Sequence, residues 1–500
     1  MLGWLHQKLS TLYAQPTPAL ALAVFRVVYG LILMGEVGQL IYFQHLIFDP
    51  VPYLQLAEIN YLPLLLLWLL VLACLVLGLF TRLAVIFNYA FSLATLALFK
   101  DFGYHIDYAY ISVNFLLMLA PVSGVFSLDA HLKITNRQEQ VSGIWAYLIF
   151  FFGVGFTYLD SALYKLVDPV WQQGWGVWFA SSLLPNTYQD LSFFLNNQVF
   201  MQVLGYLVLV FEIIFPVLVF FRRFRLRGIL FGLAFHAGTL LVYPIPGFAL
   251  SAMSFYLPLL FLPRWFSKNK YYSAENSPTP NTNPVRLRRD LAHFNFIPDA
   301  ILLKLSSAFI LYCVFGQLLC SLQSDLVKNL EGRKSNFKVS TWAAKLFGPV
   351  YYVNQKYLGI VAHEIFLARY FQEYEHIISL QYQAPDGTEK WLPITNQNGM
   401  NSYYNTGRIF CNWNYWVNSA HINQEKLVAG IRDYTAFWAV KNNISLQHAT
   451  FTIRLKKTQV PLTWEKDFLK KQMQQPWQQI GTVSWQAGEC AIIIPVVENL

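Results

Sequence analysis

Lys165 lies in the segment 158–179, YLDSALYKLVDPVWQQGWGVWF, directly after an apolar run. On a helix, Tyr158, Ser161 and Lys165 share one face, because residues three, four and seven positions apart lie on the same side. A lysine removed from water gives up its proton more readily and is then a candidate general base. Asp168 works against this, since a carboxylate three residues away holds the proton on the amine. The third interpretation is an interfacial anchor beside the tryptophans that follow.

Other ionisable residues accompany this segment. Glu212 and His236 lie in the middle of apolar stretches, where ionisable side chains are costly and usually mark sites, and His105 lies at the mouth of a predicted outer loop. No Cys or His spacing is typical of a metal site, so we expect no metal. Because His105 and Lys165 are assigned to the same membrane face, we predict that they share an outer pocket, with Tyr158, Tyr164, Trp171, Glu212 and His236 as binding residues.

The elements that must position these residues are membrane helices. Only 13% of the 500 residues are charged and the mean hydropathy is +0.38, whereas soluble domains carry about 25% charged residues. The net charge of +9 comes from basic clusters beside apolar stretches. Such clusters orient membrane proteins, so we expect a lipid bilayer as partner and no nucleic acid.

Apolar windows long enough to cross a bilayer predict about nine transmembrane helices. They fall near residues 19–41, 62–80, 84–100, 107–122, 143–160, 200–221, 226–243, 249–262 and 300–321. With a cytoplasmic N-terminus, the inner segments contain thirteen Lys and Arg residues, whereas the outer loops 42–61, 101–106, 161–199 and 244–248 contain only Lys165. This asymmetry predicts a multi-pass protein whose C-terminal domain is extracytoplasmic, periplasmic or lumenal.

Four regions follow from these patterns: a transmembrane bundle over 1–265, a cytoplasmic polar linker over 266–299, a final transmembrane helix over 300–321 and a soluble domain over 322–500. The last region alternates apolar and polar residues around PDG in HIISLQYQAPDGTEKWLPIT, which predicts a hairpin. The segments HATFTIRLKKTQV and GTVSWQAGECAIIIPV also predict strands. We therefore expect a mainly α-helical membrane bundle followed by a mixed α/β, β-rich domain. Whether Cys411 and Cys490 pair stays open.

Three stretches of the chain resemble a known family. YLDSALYKLVDPVWQQGW is similar to the Tyr-x(5)-(Lys)-Lys-Leu-x-(Asp)-x-x-Trp-x-x-Gly segment of the vitamin K-dependent gamma-carboxylases, which share a membrane domain with the wider HTTM superfamily. FHAGTLLVYPIPGFALSAMSFYLPLL looks like the family's Phe-His span and the Gly-Phe/Met-rich span after it. GYHIDYAYISVNFLLMLAPVSGVFSLDAHL is similar to its His-x-x-Tyr helix. The likeness covers roughly residues 15–265.

The resemblance implies an activity and two catalytic residues. Lys165 matches the lysine that deprotonates vitamin K hydroquinone, and His105 matches the histidine proposed to assist at the glutamate substrate. In that family, oxygenation of the reduced quinone yields a strong base, which takes the γ-proton of glutamate so that carbon dioxide can add. The implied cofactor is reduced vitamin K, a menaquinol-type quinone, with carbon dioxide and oxygen as co-substrates and a peptide or protein as acceptor. The family's first lysine is Tyr164 here, and the chain is much shorter than the animal enzymes.

Two other functions remain open on the sequence. One is a non-enzymatic HTTM membrane protein that binds lipid, quinone or peptide through its outer domain. The other is a transporter, which the helix number allows, although the sequence has no inverted repeat or paired broken helices.

Overall fold

The computed structural model describes residues 10–98, 102, 105–262, 299–323, 341–368, 375–402, 414–418 and 422–497. Most of the predicted linker and Cys411 lie outside these ranges, so the domain boundaries and the cysteine pairing stay predictions. The principal helices are α1 (Leu20–Tyr42), α2 (Leu62–Leu77), α3 (Thr81–Leu98), α4 (His105–Leu119), α5 (Ile144–Phe150), α6 (Phe156–Val167), α7 (Gln198–Leu218), α8 (Arg222–Val242), α9 (Pro246–Phe255), α10 (Asp299–Gln323), α11 (Thr341–Leu358) and α12 (Gln424–Lys441).

The apolar windows of the sequence all coincide with helices. In the described part of the chain, five helical segments are long and apolar enough to cross a membrane: Leu20–Tyr42, Ile144–Val167, Gln198–Leu218, Arg222–Val242 and Lys304–Ser321. Leu62–Leu77 and Pro246–Leu260 are shorter apolar helices. The protein is therefore mostly helical and has the character of a membrane protein.

The span Ile144–Val167 contains a π-helical turn, Phe151–Gly155, between α5 and α6. A side chain on Gly153 would run into the ring of Phe255, so the glycine lets α9 pack closely at this turn. A π turn offsets the helical faces on its two sides and is frequent at functional sites. Here it lies just before the polar face that begins at Tyr158.

Two short strands tie one end of the bundle together. Strand β1 (Pro16–Pro18) pairs antiparallel with β2 (Gln140–Ser142). Close by, the Asp129 carboxylate accepts hydrogen bonds from the main-chain N–H groups of Phe80 and Thr81, both at 2.8 Å. The loop charges assigned the segments 1–18, 81–83 and 123–142 to one side of the membrane, and these segments meet at this end.

The C-terminal domain packs against the loops at the other end. Asn196 and Asp467 exchange two hydrogen bonds, of 2.6 and 2.7 Å. The guanidinium of Arg432 donates to the main-chain oxygen of Pro50 at 3.1 Å, and the rings of Phe43 and Phe437 lie 5.4 Å apart. The loops 42–61 and 161–199, predicted to share a side, therefore both contact this domain.

The C-terminal domain contains a five-stranded antiparallel sheet of order β4-β3-β5-β6-β7. Its strands are β3 (His376–Gln383), β4 (Glu389–Trp391), β5 (Thr450–Lys457), β6 (Trp477–Gln486) and β7 (Glu489–Ile493). The hairpin predicted around PDG joins β3 and β4. Apolar residues of α12 and the sheet share one buried core, which includes Ile431, Phe437, Ile453 and Trp485. The prediction of a β-containing C-terminal region is confirmed.

Candidate functional site

A cavity of about 230 Å³ lies between α6, α7 and α8. Its wall is mostly apolar and includes Leu204, Val208, Phe235 and Phe248. An engineered apolar cavity of about 150 Å³ takes up benzene, so this one has room for a larger ring. Among its polar lining residues are Tyr158, Ser161, Lys165, Glu212 and His236, which come from three separate helices.

An ion pair between Lys165 and Glu212 lies in the cavity wall. The Lys165 Nζ donates to both carboxylate oxygens of Glu212, at 2.6 and 2.7 Å. The two side chains are only 3% and 6% exposed. Taking both charges out of water costs more than an exposed pair does, and ionisable groups persist at membrane depth mainly at sites. The pair is therefore a candidate functional feature of the cavity.

Trp171 covers the same ammonium, because the Lys165 Nζ lies 4.5 Å from the centre of its ring. Asp168 sets up the turn that carries this ring: its carboxylate caps the helix Pro169–Gln172 by accepting from the main-chain N–H groups of Val170 (3.0 Å) and Trp171 (3.3 Å). Its other oxygen accepts from Ala368 N at 2.9 Å. The charge partner of Lys165 is thus Glu212, whereas Asp168 accepts hydrogen bonds from main-chain N–H groups.

Tyrosine and histidine form the far side of the site. The hydroxyl of Tyr158 lies 2.5 Å from His236 Nε2 and also contacts the hydroxyl of Tyr256. Within the described part of the chain, His236 Nδ1 and the Ser161 hydroxyl have no hydrogen-bond partner although both are buried. Buried polar atoms are almost always paired. A polar ligand in the cavity would supply the missing partners.

The model of the HTTM domain family matches residues 14–265, which is half of the chain. The chain belongs to the HTTM domain family. A search of curated proteins and a search of solved structures each found no match. The HTTM match includes every residue predicted for the site from the sequence.

The HTTM bundle brings most of those predicted residues together. Tyr158, Lys165, Trp171, Glu212 and His236 all line the cavity. Their assignment to catalysis or binding stays a prediction.

Two predicted residues lie elsewhere. Tyr164 is buried behind the wall, where it packs with Trp171 and Leu367. His105 begins α4, does not line the predicted pocket with Lys165, and interacts electrostatically with His363 and Glu364. Burial lowers the pKa of His363 to about 3, so its imidazole is neutral at physiological pH.

Part of the cavity wall comes from outside the HTTM match. Ile365 and Phe366 line it, although they follow the final membrane helix in the chain. Sequence reasoning missed both residues and also Tyr256. Nothing in the residue types of Ile365 and Phe366 indicates a site, because they act through packing and main-chain contacts. Tyr256 acts through its hydroxyl, which contacts that of Tyr158. The completed cavity therefore belongs to both regions of the protein.

Proposed function

We propose that this HTTM protein is an integral-membrane enzyme of the vitamin K-dependent gamma-carboxylase type. It would couple oxidation of a reduced lipid quinone to carboxylation of glutamate in a peptide or protein. The observation that carries the proposal is the buried Lys165–Glu212 pair, which lines an apolar cavity beside Tyr158 and His236. Proton transfer groups in a cavity that excludes water are what this chemistry needs.

The residues present fit a quinone head group. The cavity has the volume and the apolar wall for a ring system, and Ser161 and His236 each offer an unpaired polar atom. Ser161, Lys165 and His236 would hold the ring oxygens, and Trp171 would pack beside the ring. A reduced vitamin K-type quinone bound here would supply, with oxygen, the strong base that the carboxylation of glutamate requires.

The protein's own groups would handle one proton. The Lys165 ammonium would stabilise negative charge on a ring oxygen of the ligand. The Glu212 carboxylate would accept the proton that leaves this ring oxygen. The two side chains are joined by two hydrogen bonds and would act on the proton together. We therefore assign the role of base to the pair, with Lys165 as the member nearest Trp171. His105, which the resemblance implies at the glutamate substrate, would act outside this cavity.

The proposal includes a topology. Helices at every apolar window support about nine membrane crossings, and the meeting of the predicted inner segments at one end supports the alternation. The contacts of loops 42–61 and 161–199 with the C-terminal domain support an extracytoplasmic position for all three. In this arrangement Lys165 lies at the outer face, where a lipid quinone reaches it from the bilayer.

A binding role without catalysis is the second candidate. Glu212 holds the Lys165 ammonium through both of its oxygens, which is the geometry of a stable ion pair rather than of a free amine. The same cavity would then bind the ring of a lipid or quinone and leave it unchanged.

One experiment separates the two candidates. Purified protein in lipid nanodiscs is given reduced vitamin K, oxygen, labelled bicarbonate and a glutamate peptide, and wild type is compared with Lys165→Ala. We expect label in the peptide with wild type, none with Lys165→Ala, and wild-type incorporation with Lys304→Ala, a control at an exposed membrane-region lysine. Quinone binding without incorporation by wild type would favour the binding role, and the absence of both would contradict the proposal.

A further inference from the structure

The segment 359–368, GIVAHEIFLA, forms what we call the strap, because it runs across the bundle after α11. It begins at Gly359, whose φ of +63° lies in the left-handed region. A side chain there would run into the main-chain oxygen of Tyr108 and the hydroxyl of Ser112 on α4. Glycine therefore satisfies both the backbone angle and the close approach, and the strap starts in direct contact with the bundle.

Hydrogen bonds fasten the strap along its length. Gln317 of α10 donates to the main-chain oxygen of Val361 at 2.8 Å, and the Asp160 carboxylate of α6 accepts from the His363 N–H. At the far end, Asp168 accepts from Ala368 N at 2.9 Å. The strap is thus bound to two membrane helices and to the turn that follows α6.

Phe366 lies within the fastened part and has an unusual backbone. Its φ is +58°, which a bulky side chain rarely adopts. Its main-chain oxygen accepts a 2.8 Å hydrogen bond from Trp171 Nε1, and its ring lies 5.3 Å from that of Tyr243. Backbone strain persists where the surroundings over-determine it, and such residues cluster at ligand sites. Both the main chain and the ring of Phe366 are therefore held in place.

These contacts give Phe366 two separate connections to the site. Phe366 lines the cavity, and its ring packs against that of Tyr243, another lining residue. Its main-chain oxygen holds Trp171, whose ring covers the Lys165 ammonium. A change to the ring alters the space in the cavity, whereas a change at Trp171 alters the environment of Lys165. The two effects can be measured separately.

We propose that Phe366 is a specificity-determining residue that sets the size of the ring system admitted to the Lys165 cavity. The HTTM bundle supplies the polar groups, and the strap supplies the limit on size. The identity of the ring as a quinone rests on the proposed function, whereas the limit on size does not. Removing the Phe366 ring opens the wall without removing any of the polar groups.

A reporter cysteine tests the limit on size without any quinone. Ser161→Cys places a thiol in the cavity, and its modification by a small and by a benzyl methanethiosulfonate reagent is followed by peptide mass spectrometry. Adding Phe366→Ala should raise the rate for the benzyl reagent about tenfold, since a single methylene changes pocket discrimination by about that much or more. The rate for the small reagent should not change.

Two further variants serve as controls. Phe193→Ala removes a ring that is 85% exposed and outside the cavity wall, so it should leave both rates unchanged. Phe366→Leu keeps much of the apolar volume and should give an intermediate rate with the benzyl reagent. If Phe366→Ala changes neither the rate with the benzyl reagent nor the rate with the small reagent, the proposal is overturned.

Binding of ring compounds then separates this inference from the proposed function. Menadione, with two fused rings, and anthraquinone, with three, are titrated into wild type and Phe366→Ala in nanodiscs. We expect wild type to bind menadione alone and Phe366→Ala to bind both. If the reagent rates change as expected but neither quinone binds either protein, the limit on size stands and the quinone assignment fails.

Discussion

Two buried lysines, one in the bundle and one in the C-terminal sheet, resemble each other closely. Lys165 is 2% exposed and Lys456 is 1% exposed. Each ammonium lies near a tryptophan ring, at 4.5 Å from the centre of Trp171 and at 5.2 Å from that of Trp477. Burial and an aromatic neighbour therefore do not tell a site from a structural lysine.

The difference lies in the partners and in the adjoining space. Lys165 is paired with a carboxylate from another helix, beside a cavity. Lys456 donates to the main-chain oxygens of Asn398 and Met473, at 3.1 and 2.6 Å, and so joins a loop and a helix end to β5. A carboxylate exchanges a proton with an amine, whereas a carbonyl only accepts hydrogen bonds. The type of partner, together with the adjoining cavity, separates the role proposed for Lys165 from the structural role of Lys456.

The largest effect should come from breaking the bundle pair on one side only. Lys165→Met leaves the Glu212 charge buried and unpaired, which should lower the free energy of unfolding by about 3–5 kcal/mol. The double variant Lys165→Met/Glu212→Leu removes both charges and should lie within about 1 kcal/mol of wild type. Unfolding of the purified protein in mixed micelles measures both. A double variant as unstable as the single one would show that the pair does not act as a unit.

Lys456→Met should have a smaller effect. It leaves two main-chain oxygens without their donor, which should cost about 1–3 kcal/mol. Because the residue is outside the cavity wall, binding of ring compounds should equal that of wild type. Unfolding and ligand titration of the same preparation measure the two quantities. Loss of ligand binding in this variant would contradict the division between a structural and a functional lysine.

The pH dependence of stability tests the structural lysine, Lys456, on its own. Burial lowers the pKa of Lys456 from 10.5 to about 8. Between pH 8 and 10.5 the unfolded chain therefore binds more protons at this lysine than the folded chain, so its contribution to stability rises with pH in that window and is lost as pH falls through 8. Hydrogen exchange of the β5 main-chain amides at pH 8 and above should show this rise. In Lys456→Met the rise should be reduced; an unchanged rise would assign it to other groups.

The smallest effect should come from Trp171→Phe. This change keeps an aromatic ring near Lys165 but removes the donor to the Phe366 oxygen, and should cost about 0.5–1.5 kcal/mol. Trp477→Phe is the matched change beside Lys456, because it removes the Trp477 donor to the Gln397 oxygen. Only the first should alter the labelling rate of a cysteine at position 161. Equal changes of that rate in both would remove the distinction between the two tryptophans.

The helical face of the site was predictable from the sequence. The spacing of Tyr158, Ser161 and Lys165 gave their common orientation, because an α-helix repeats every 3.6 residues. The apolar windows gave the helices, and the PDG turn gave the hairpin of the C-terminal sheet. These features depend on local spacing, which a single sequence contains.

The partners across the cavity were only partly predictable. Glu212 was identified as a binding residue because a mid-span carboxylate is costly, but its pairing with Lys165 spans 47 positions, and local spacing suggested Asp168 instead. The strap was missed because its contacts are made largely by main-chain atoms, which every residue possesses. Helical periodicity shows which residues of one helix share a face. It does not show which residues of another helix pack against that face.

The strap also has a consequence for biosynthesis. A ribosome releases the chain from its N-terminus, so the helices that carry Lys165, Glu212 and His236 enter the membrane before residues 359–368 exist. The cavity wall is completed only when Phe366 has been synthesised and fastened to Trp171. A chain that ends before residue 365 therefore lacks the part of the wall that Ile365 and Phe366 supply. If Phe366 limits the size of the ring that enters, the cavity becomes selective only after the chain beyond the bundle has been made.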